Sequence, residues 1–546
     1  MTAPQPPDPL EARAASELGA AGAPILGAAD LAIADAVLTS IAEEMGEALG
    51  RTAYSPNIKE RRDFSCGVFD AEGQMVAQAA HMPVHLGAMP AAVRAVMELA
   101  PFAPGDVLAV NDPFRGGTHL PDLTTVSPVF VADRLIGFVA TRAHHADIGG
   151  MAPGSMPVAR ELLQEGLVVP PIRLVDAGRP NDSAIALIVR NSRAPDERRG
   201  DLRAQLAATA LGARRLQAAA ERFSVPGLLH RFAALLDHGE RVVRAVITQI
   251  PDGRYPFEDR MEVGPDGIAI RVTLEVTGDE VHFDFTGTDP ETDEASVNAV
   301  ATVTRSACYY AIRCLAGPDA PRNEGCYRPI RFTLPERSLV AAGPPRAVSA
   351  GNVETSQRIT DVALGALALA LPDRIPAASS GTMNNITIGG YDTARARPYA
   401  YYETIAGGAG GGPRRPGRSG VHTHMTNTMN TPIEALPLAY PFTVERYALR
   451  PHTGGDGQHP GGDGLLREYR FHDHATVSIV SERRRFHPWG LHGGQPGALG
   501  RNTLIRADAT STDLGPRAEV DVHPGDRIRI ETPGGGGWGR SRTPNS

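Results

Sequence analysis

The chain has 546 residues, 42% hydrophobic and 21% charged, which is apolar material for more than one core. A formal net charge of −8 argues against the basic face of a nucleic-acid binder, and no apolar run reaches the roughly 18 residues that a membrane span needs. The N-terminus, MTAPQPPDPLEARAASELGAAGAP, lacks a basic segment followed by an apolar one, and Cys66, Cys308, Cys314 and Cys326 show no CxxC spacing. A cytoplasmic chain with reduced thiols and no nucleic-acid or membrane partner is therefore expected.

Residues 1–27 read as a disordered Pro/Ala-rich tail. Ala28–Leu49 places Leu31, Ile33, Ala36, Val37, Ile41, Met45 and Leu49 near helical spacing, which predicts an amphipathic helix. Asp63–Val76 reads as strand, turn (Ala71 to Gln74), strand, and Met89–Leu99 as a short helix. TTVSPVFVADRLIGFVATRA is two β-prone arms around Ala132-Asp133-Arg134. Leu202–Phe223 and Gly227–Ile250 are predicted helices with a breaker at Pro226. The alternation Ile268, Ile270, Val272, Leu274, Val276 turns at Thr277-Gly278-Asp279 and resumes at Val281, Phe283 and Phe285, a β-hairpin. Val300–Leu315 and Ile359–Leu371 are helical. Short strands among Gly- and Pro-rich loops follow, including Val477–Val480 and Arg527–Ile530. This pattern predicts a mixed α/β fold of two or three closely packed lobes, over residues 28–250, 251–350 and 351–546.

The chemistry gathers at the open end of the first hairpin. GGTHLPDLTTV leads into it with His119 and Asp122, and ATRAHHADIGG leaves it with His144, His145 and Asp147. In an antiparallel pair centred near residue 133, Asp122 falls opposite about residue 145. Imidazoles and a carboxylate converging there suit a divalent metal with room for water or substrate. The alternative is a set of polar loop residues that satisfy backbone groups.

Other segments carry weaker signals. Lys59 is the one lysine among 54 basic residues, and a lysine can change protonation state where arginine cannot. Because a Walker A loop needs Gly-Lys-Ser/Thr, no nucleotide-binding site is expected here. His81 and His85 flank Pro83 in an extended loop suited to orienting substrate or lining the metal cavity, with a structural loop role as the alternative. Glu403, His422, His424 and Asn427 supply donors and acceptors for an amide or carboxylate, around a glycine-rich stretch (Gly407–Gly420) that reads as a mobile lid or partner-facing loop bearing Arg414, Arg415 and Arg418. Asn352, Glu354 and Gln357 read equally as helix caps.

The strings RTAYSPNIKERRDFSCGVFD, HMPVHLGAMPAAV, NDPFRGGTHLPDL, THMTNTMNTPIE and TPGGGGWG resemble the hydantoinase B/oxoprolinase family from about Arg51 to the C-terminus. The resemblance implies pairing with a hydantoinase A-type subunit in a hetero-oligomer, with ATP and Mg on that subunit. It implies ATP-dependent opening of a cyclic amide or, in the acetone carboxylase branch, ketone carboxylation; a scaffold role beside the A-type subunit is a third reading. In that branch a metal sits on a His-x-x-Asp pair and a later His, matching His119, Asp122 and His144. Mn, Zn and Fe all suit such a set. His145, Asp147 and Lys59 are then candidates for base or supporting roles.

Overall fold

A computed structural model describes residues 26–79 and 82–541; the expected tail, apart from its last two residues, and His81 lie outside the described residues. The protein is a mixed α/β fold, as its sequence indicates. Among the described residues the strands build one seven-stranded, two four-stranded and one five-stranded sheet.

The seven-stranded sheet positions the site. Its order is Met75–Gln78, Phe64–Phe69, Arg134–His144, Asp122–Val131, Val107–Val110, Ile172–Asp176 and Arg179–Pro180. The predicted hairpin is thus central, and both of its faces are covered. Phe138 and Ala140 enter the largest core, whereas Val139 and Ala143 enter a second core under helices Ala28–Thr52, Pro195–Phe223 and Val225–Ile247. Burial on both faces explains why its arms are almost continuously apolar rather than alternating. The helix Ala28–Thr52 buries Leu38, Ile41, Met45 and Leu49.

The remaining predicted elements form near their expected bounds. The first of the paired long helices starts earlier, at Pro195, and Pro226 does not break a helix but opens the next one, where a missing N–H costs nothing. The hairpin Ile268–Thr277/Glu280–Asp284 pairs as expected. A π-helical turn, Gly351–Thr355, precedes helix Ser356–Ala370.

One expectation fails outright. The glycines from 407 to 412 are packed rather than loose, and they interlock with runs near 455–462 and 534–537. Gly408 N–H donates to Pro533 O (3.0 Å), Gly411 to Gly536 O (2.8 Å), Gly462 to Ala409 O (2.8 Å) and Gly535 to Gly462 O (2.9 Å). The backbones approach so closely that a Cβ on Gly408 would lie 1.9 Å from Gly462 O. Glycine is there because nothing larger fits. Arg414, Arg415 and Arg418, between these segments, are exposed.

Candidate metal centre

Register sets the site. Asp122 pairs with His144 across the hairpin, one residue from the expected partner. Because side chains alternate along a strand, Asp122, Thr124, Arg142 and His144 face the same way, toward Tyr402 and the loop before Phe64–Phe69. His119 enters from the turn preceding the strand.

His119 Nε2 lies 3.3 Å and His144 Nδ1 3.4 Å from the same oxygen, Asp122 Oδ1. One donor atom from each of the three residues falls within 4.8 Å of the others, and all three are buried. Metal–ligand bonds of about 2.1 Å in tetrahedral array put ligand atoms roughly 3.4 Å apart, so these separations fit a divalent ion. Neither ring nitrogen of His119 makes a hydrogen bond, and His144 Nε2 makes none. Buried imidazole nitrogens without partners are costly, and a metal between the three residues would take up His119 Nε2.

The surrounding shell fixes the trio. His85 Nε2 stands 3.3 Å from Asp122 Oδ2, and its Nδ1 shares a hydrogen bond of 2.8 Å with Ser65 Oγ. Thr118 Oγ1 donates to the same carboxylate oxygen. Burial pushes the Asp122 carboxyl up, but the nearby His119 and His85 imidazoles, with the close approach of His144, outweigh it and hold it well below the usual range. Burial pulls His144 down, which keeps its imidazole neutral and able to ligate. Tyr402 stacks on His144 (4.5 Å, 12°), and Arg61 lies over the other side of Tyr402, 4.7 Å from its centroid. Asn57 Nδ2 donates to His144 O (2.6 Å), and His144 N–H donates to Asp63 O (3.0 Å).

A narrow cavity, with room for about one water, is lined here by Asp63, Met82, His85, Asp122, His144, Asn352, Tyr402 and Thr426. Asp63 is the member that the sequence reading passed over. Its signal was positional: it precedes strand Phe64–Phe69, whose Phe64 pairs with Ala143.

Several expected residues lie elsewhere. His145 points to the opposite face, where Nε2 meets Gln205 Oε1 at 2.8 Å; neighbours on a strand cannot both face the metal. Asp147 is consumed as a loop anchor, accepting from Gly149, Gly154 and Arg193 backbone N–H groups and pairing with the Arg193 guanidinium at 2.9 Å. Lys59 is exposed at the end of a one-turn helix. Glu403 is fully buried between Arg61 (2.9 Å) and Arg467 (3.5 Å) and accepts from Tyr401, Asn430 and Thr431, which leaves it no capacity for substrate. His422, His424 and Asn427 do meet, on the wall of a polar chamber of about 710 Å³ with Arg415 and Arg418; Thr426 is common to this chamber and the metal cavity. Burial depresses His422 to about 4, and His424 in the same direction, so both are neutral donors and acceptors near pH 7.

The hydantoinase B/oxoprolinase family model matches residues 28–541. The chain belongs to this family. It is 41% identical to an uncharacterized protein of Methanocaldococcus jannaschii over 91% of this chain and 88% of that one. It is 40% identical to 5-oxoprolinase 1 of Arabidopsis thaliana over 91% of this chain, but spans only 41% of that protein's length. Among solved structures, the ATP-dependent caprolactamase of Pseudomonas jessenii superposes with a TM-score of 0.87 at 28% identity, covering 94% of this chain and 91% of that one. A nucleotide-free acetone carboxylase shares the fold, with a TM-score of 0.87 at 18% identity over 94% of this chain and 76% of that one.

Proposed function

We propose that this chain is the hydrolytic, metal-bearing subunit of an ATP-dependent cyclic-amide hydrolase, cleaving the C–N bond of an activated lactam or hydantoin ring beside an A-type subunit. The observation that carries the reading is the buried His119–Asp122–His144 trio, in which His119 Nε2 has no hydrogen bond and Asp122 and His144 line a water-sized cavity. Membership of the hydantoinase B/oxoprolinase family and likeness to a caprolactamase, itself a lactam-opening enzyme by name, support the choice of reaction.

A resonance-stabilised ring amide is a poor electrophile. Phosphorylation of its oxygen by ATP on the partner turns it into an imidate-like ester, open to water at carbon. A divalent Mn, Zn or Fe held by the trio supplies Lewis acidity toward oxygen ligands. His119 and His144 contribute neutral nitrogens, and Asp122 contributes a carboxylate kept ionised by its neighbours. His85, braced by Ser65, fixes the second oxygen of Asp122, and Tyr402 fixes the plane of His144. Asp63, in the same cavity, is placed to take the proton of the attacking water. Water adds to that carbon and the ring C–N bond opens with the nitrogen leaving as the amine; a second water then hydrolyses the acyl phosphate so formed, giving the free carboxylate of the ring-opened amino acid and phosphate. The sole lysine stands outside any Gly-Lys-Ser/Thr loop, which supports assigning ATP and Mg to the partner in this scheme.

The shared fold with acetone carboxylase gives a second reading, ATP-dependent ketone carboxylation. Incubation with an A-type subunit, ATP, hydantoin or 5-oxoproline and labelled bicarbonate separates the two. Ring-opened product without label is expected; label fixed into a ketone-derived product would replace the hydrolase with a carboxylase. Full turnover by the partner alone would reduce this chain to a scaffold.

A further inference from the structure

Acidic side chains outnumber basic ones in this chain, 62 to 54, yet no carboxylate lines the polar chamber of about 710 Å³ among the described residues. Its charged members are Arg415 and Arg418. His422 and His424 line it as well, and His422 Nε2 and both ring nitrogens of His424 are buried without a hydrogen bond. Ser379 and Thr423 add hydroxyls to the same wall. The nearby carboxylates are already paired. Asp361, 3.8 Å from His424 Nε2, is held by Arg483 at 2.6 Å, and Glu403 lies between Arg61 and Arg467.

The two arginines stand on the interlocked glycine frame. Gly412 N–H donates to Arg415 O (3.0 Å), Ala409 N–H to Arg418 O (2.9 Å) and Gly417 N–H, between them, to Pro460 O (2.9 Å). Their backbone is thus pinned, whereas neither guanidinium has a hydrogen bond or ion pair among the described residues. Arg414, on the same turn, does not line the chamber. A guanidinium is a rigid fork of N–H donors that matches phosphoryl oxygens, and two of them suit a dianion. Neutral imidazole N–H and hydroxyl groups are further donors for the same oxygens.

We infer that the chamber is the subsite for the phosphoryl group of the activated intermediate, with Arg415 and Arg418 as its cationic donors and His422 and His424 as its neutral ones. This rests on the lactam-hydrolase reading and deepens it: the phosphate added on the partner becomes the handle by which this chain holds its substrate. The bonding order agrees. A phosphoryl group sits one oxygen away from the reacting carbon, and Thr426 is common to the chamber and the metal cavity. After the ring C–N bond opens, the acyl phosphate still carries that group, so the same residues retain it until the second water cleaves it.

The test is calorimetric titration of the purified full chain with inorganic phosphate and with acetyl phosphate, an acyl phosphate, at constant ionic strength. Saturable binding of both is expected. Arg415→Gln/Arg418→Gln is expected to weaken both by about tenfold or more, because charge-assisted contacts are lost, and Arg414→Gln to leave both unchanged. The folded His119→Ala/Asp122→Ala variant is expected to keep this binding, which separates the chamber from the metal centre as its location. No saturable binding overturns the proposal, as does equal weakening in Arg414→Gln and the double arginine variant, or a loss confined to His119→Ala/Asp122→Ala. Binding of inorganic phosphate without acetyl phosphate also overturns it, since the site would then suit the free ion alone. The expected binding without ATP-dependent ring opening by the complex would defeat only the catalytic reading; ring opening without that binding would defeat only the phosphoryl subsite.

Discussion

Arg61 shows how much of the neighbourhood is held by buried charge. It pairs with Glu403, caps the Tyr402 ring and donates to Tyr402 O and Thr404 Oγ1, with no exposure of either charged side chain. Removing one member of such a pair strands the other, at roughly 3–5 kcal/mol. Arg61→Ala is expected to lower the unfolding free energy by that much, and Glu403→Gln by less. In Glu403→Gln the KM for substrate stays close to that of the unmodified chain, because Glu403 is structural; a large rise in KM with unchanged stability would restore it to substrate binding. Glu354 gives a pH signature. Burial raises its carboxyl from 4.5 to about 8; Oε1 accepts from Met383 N–H and Asn385 Nδ2 while Oε2 has no partner. Folded protein therefore keeps this proton through neutrality, whereas the unfolded chain loses it above its ordinary value. The resulting penalty is absent below about pH 4.5, grows by up to about 1.4 kcal/mol per pH unit and levels near pH 8. Chemical denaturation of Glu354→Gln against the unmodified chain should show a stability advantage that widens between pH 5 and pH 8; a constant difference would mean that Glu354 ionises in the fold.

At the scale of elements, the hairpin and the glycine runs make opposite demands on a sequence reader. The hairpin was legible because its signals are local: two β-prone arms, one turn and a register countable from the turn to within one residue of the observed Asp122–His144 pair. Strand alternation then excludes His145 whenever His144 is chosen, a constraint available from the sequence and not applied. The glycine runs were misread as mobile because their partners are remote; nothing near residue 408 announces that its backbone will lie against residues 462 and 533. Their packing yields a sharp contrast. Gly535→Ala would put a Cβ 2.1 Å from Ala409 O, whereas at Gly412 the nearest atoms are 3.8 Å away and the backbone needs no left-handed conformation. Thermal melts should show Gly535→Ala severely destabilised and Gly412→Ala nearly unchanged. Similar melting of both variants would mean that the interlocked bundle contributes little to the fold.

At the scale of the whole molecule, the sequence carried the fold class, the family and the three converging residues. The sequence offered His85 as a residue to orient substrate or line the metal cavity, and His85 does line it; it did not carry Asp63, which arrives through tertiary pairing of a separate segment. Nor did it reveal the polar chamber lined by Arg415, Arg418, His422 and His424, which depends on loops meeting across several elements. The chain spans less than half the length of 5-oxoprolinase 1, and the proposed scheme assigns ATP to a separate A-type subunit. Equilibrium titration with ATP is accordingly expected to show negligible binding to this chain alone, and micromolar binding would contradict the division of labour. The central claim is the metal centre itself, and elemental analysis of freshly purified protein tests it most directly. About one Mn, Zn or Fe per chain is expected in the unmodified protein, and none in a folded His119→Ala/Asp122→Ala variant whose circular dichroism matches it. Metal retained at full occupancy by that variant would contradict the assignment.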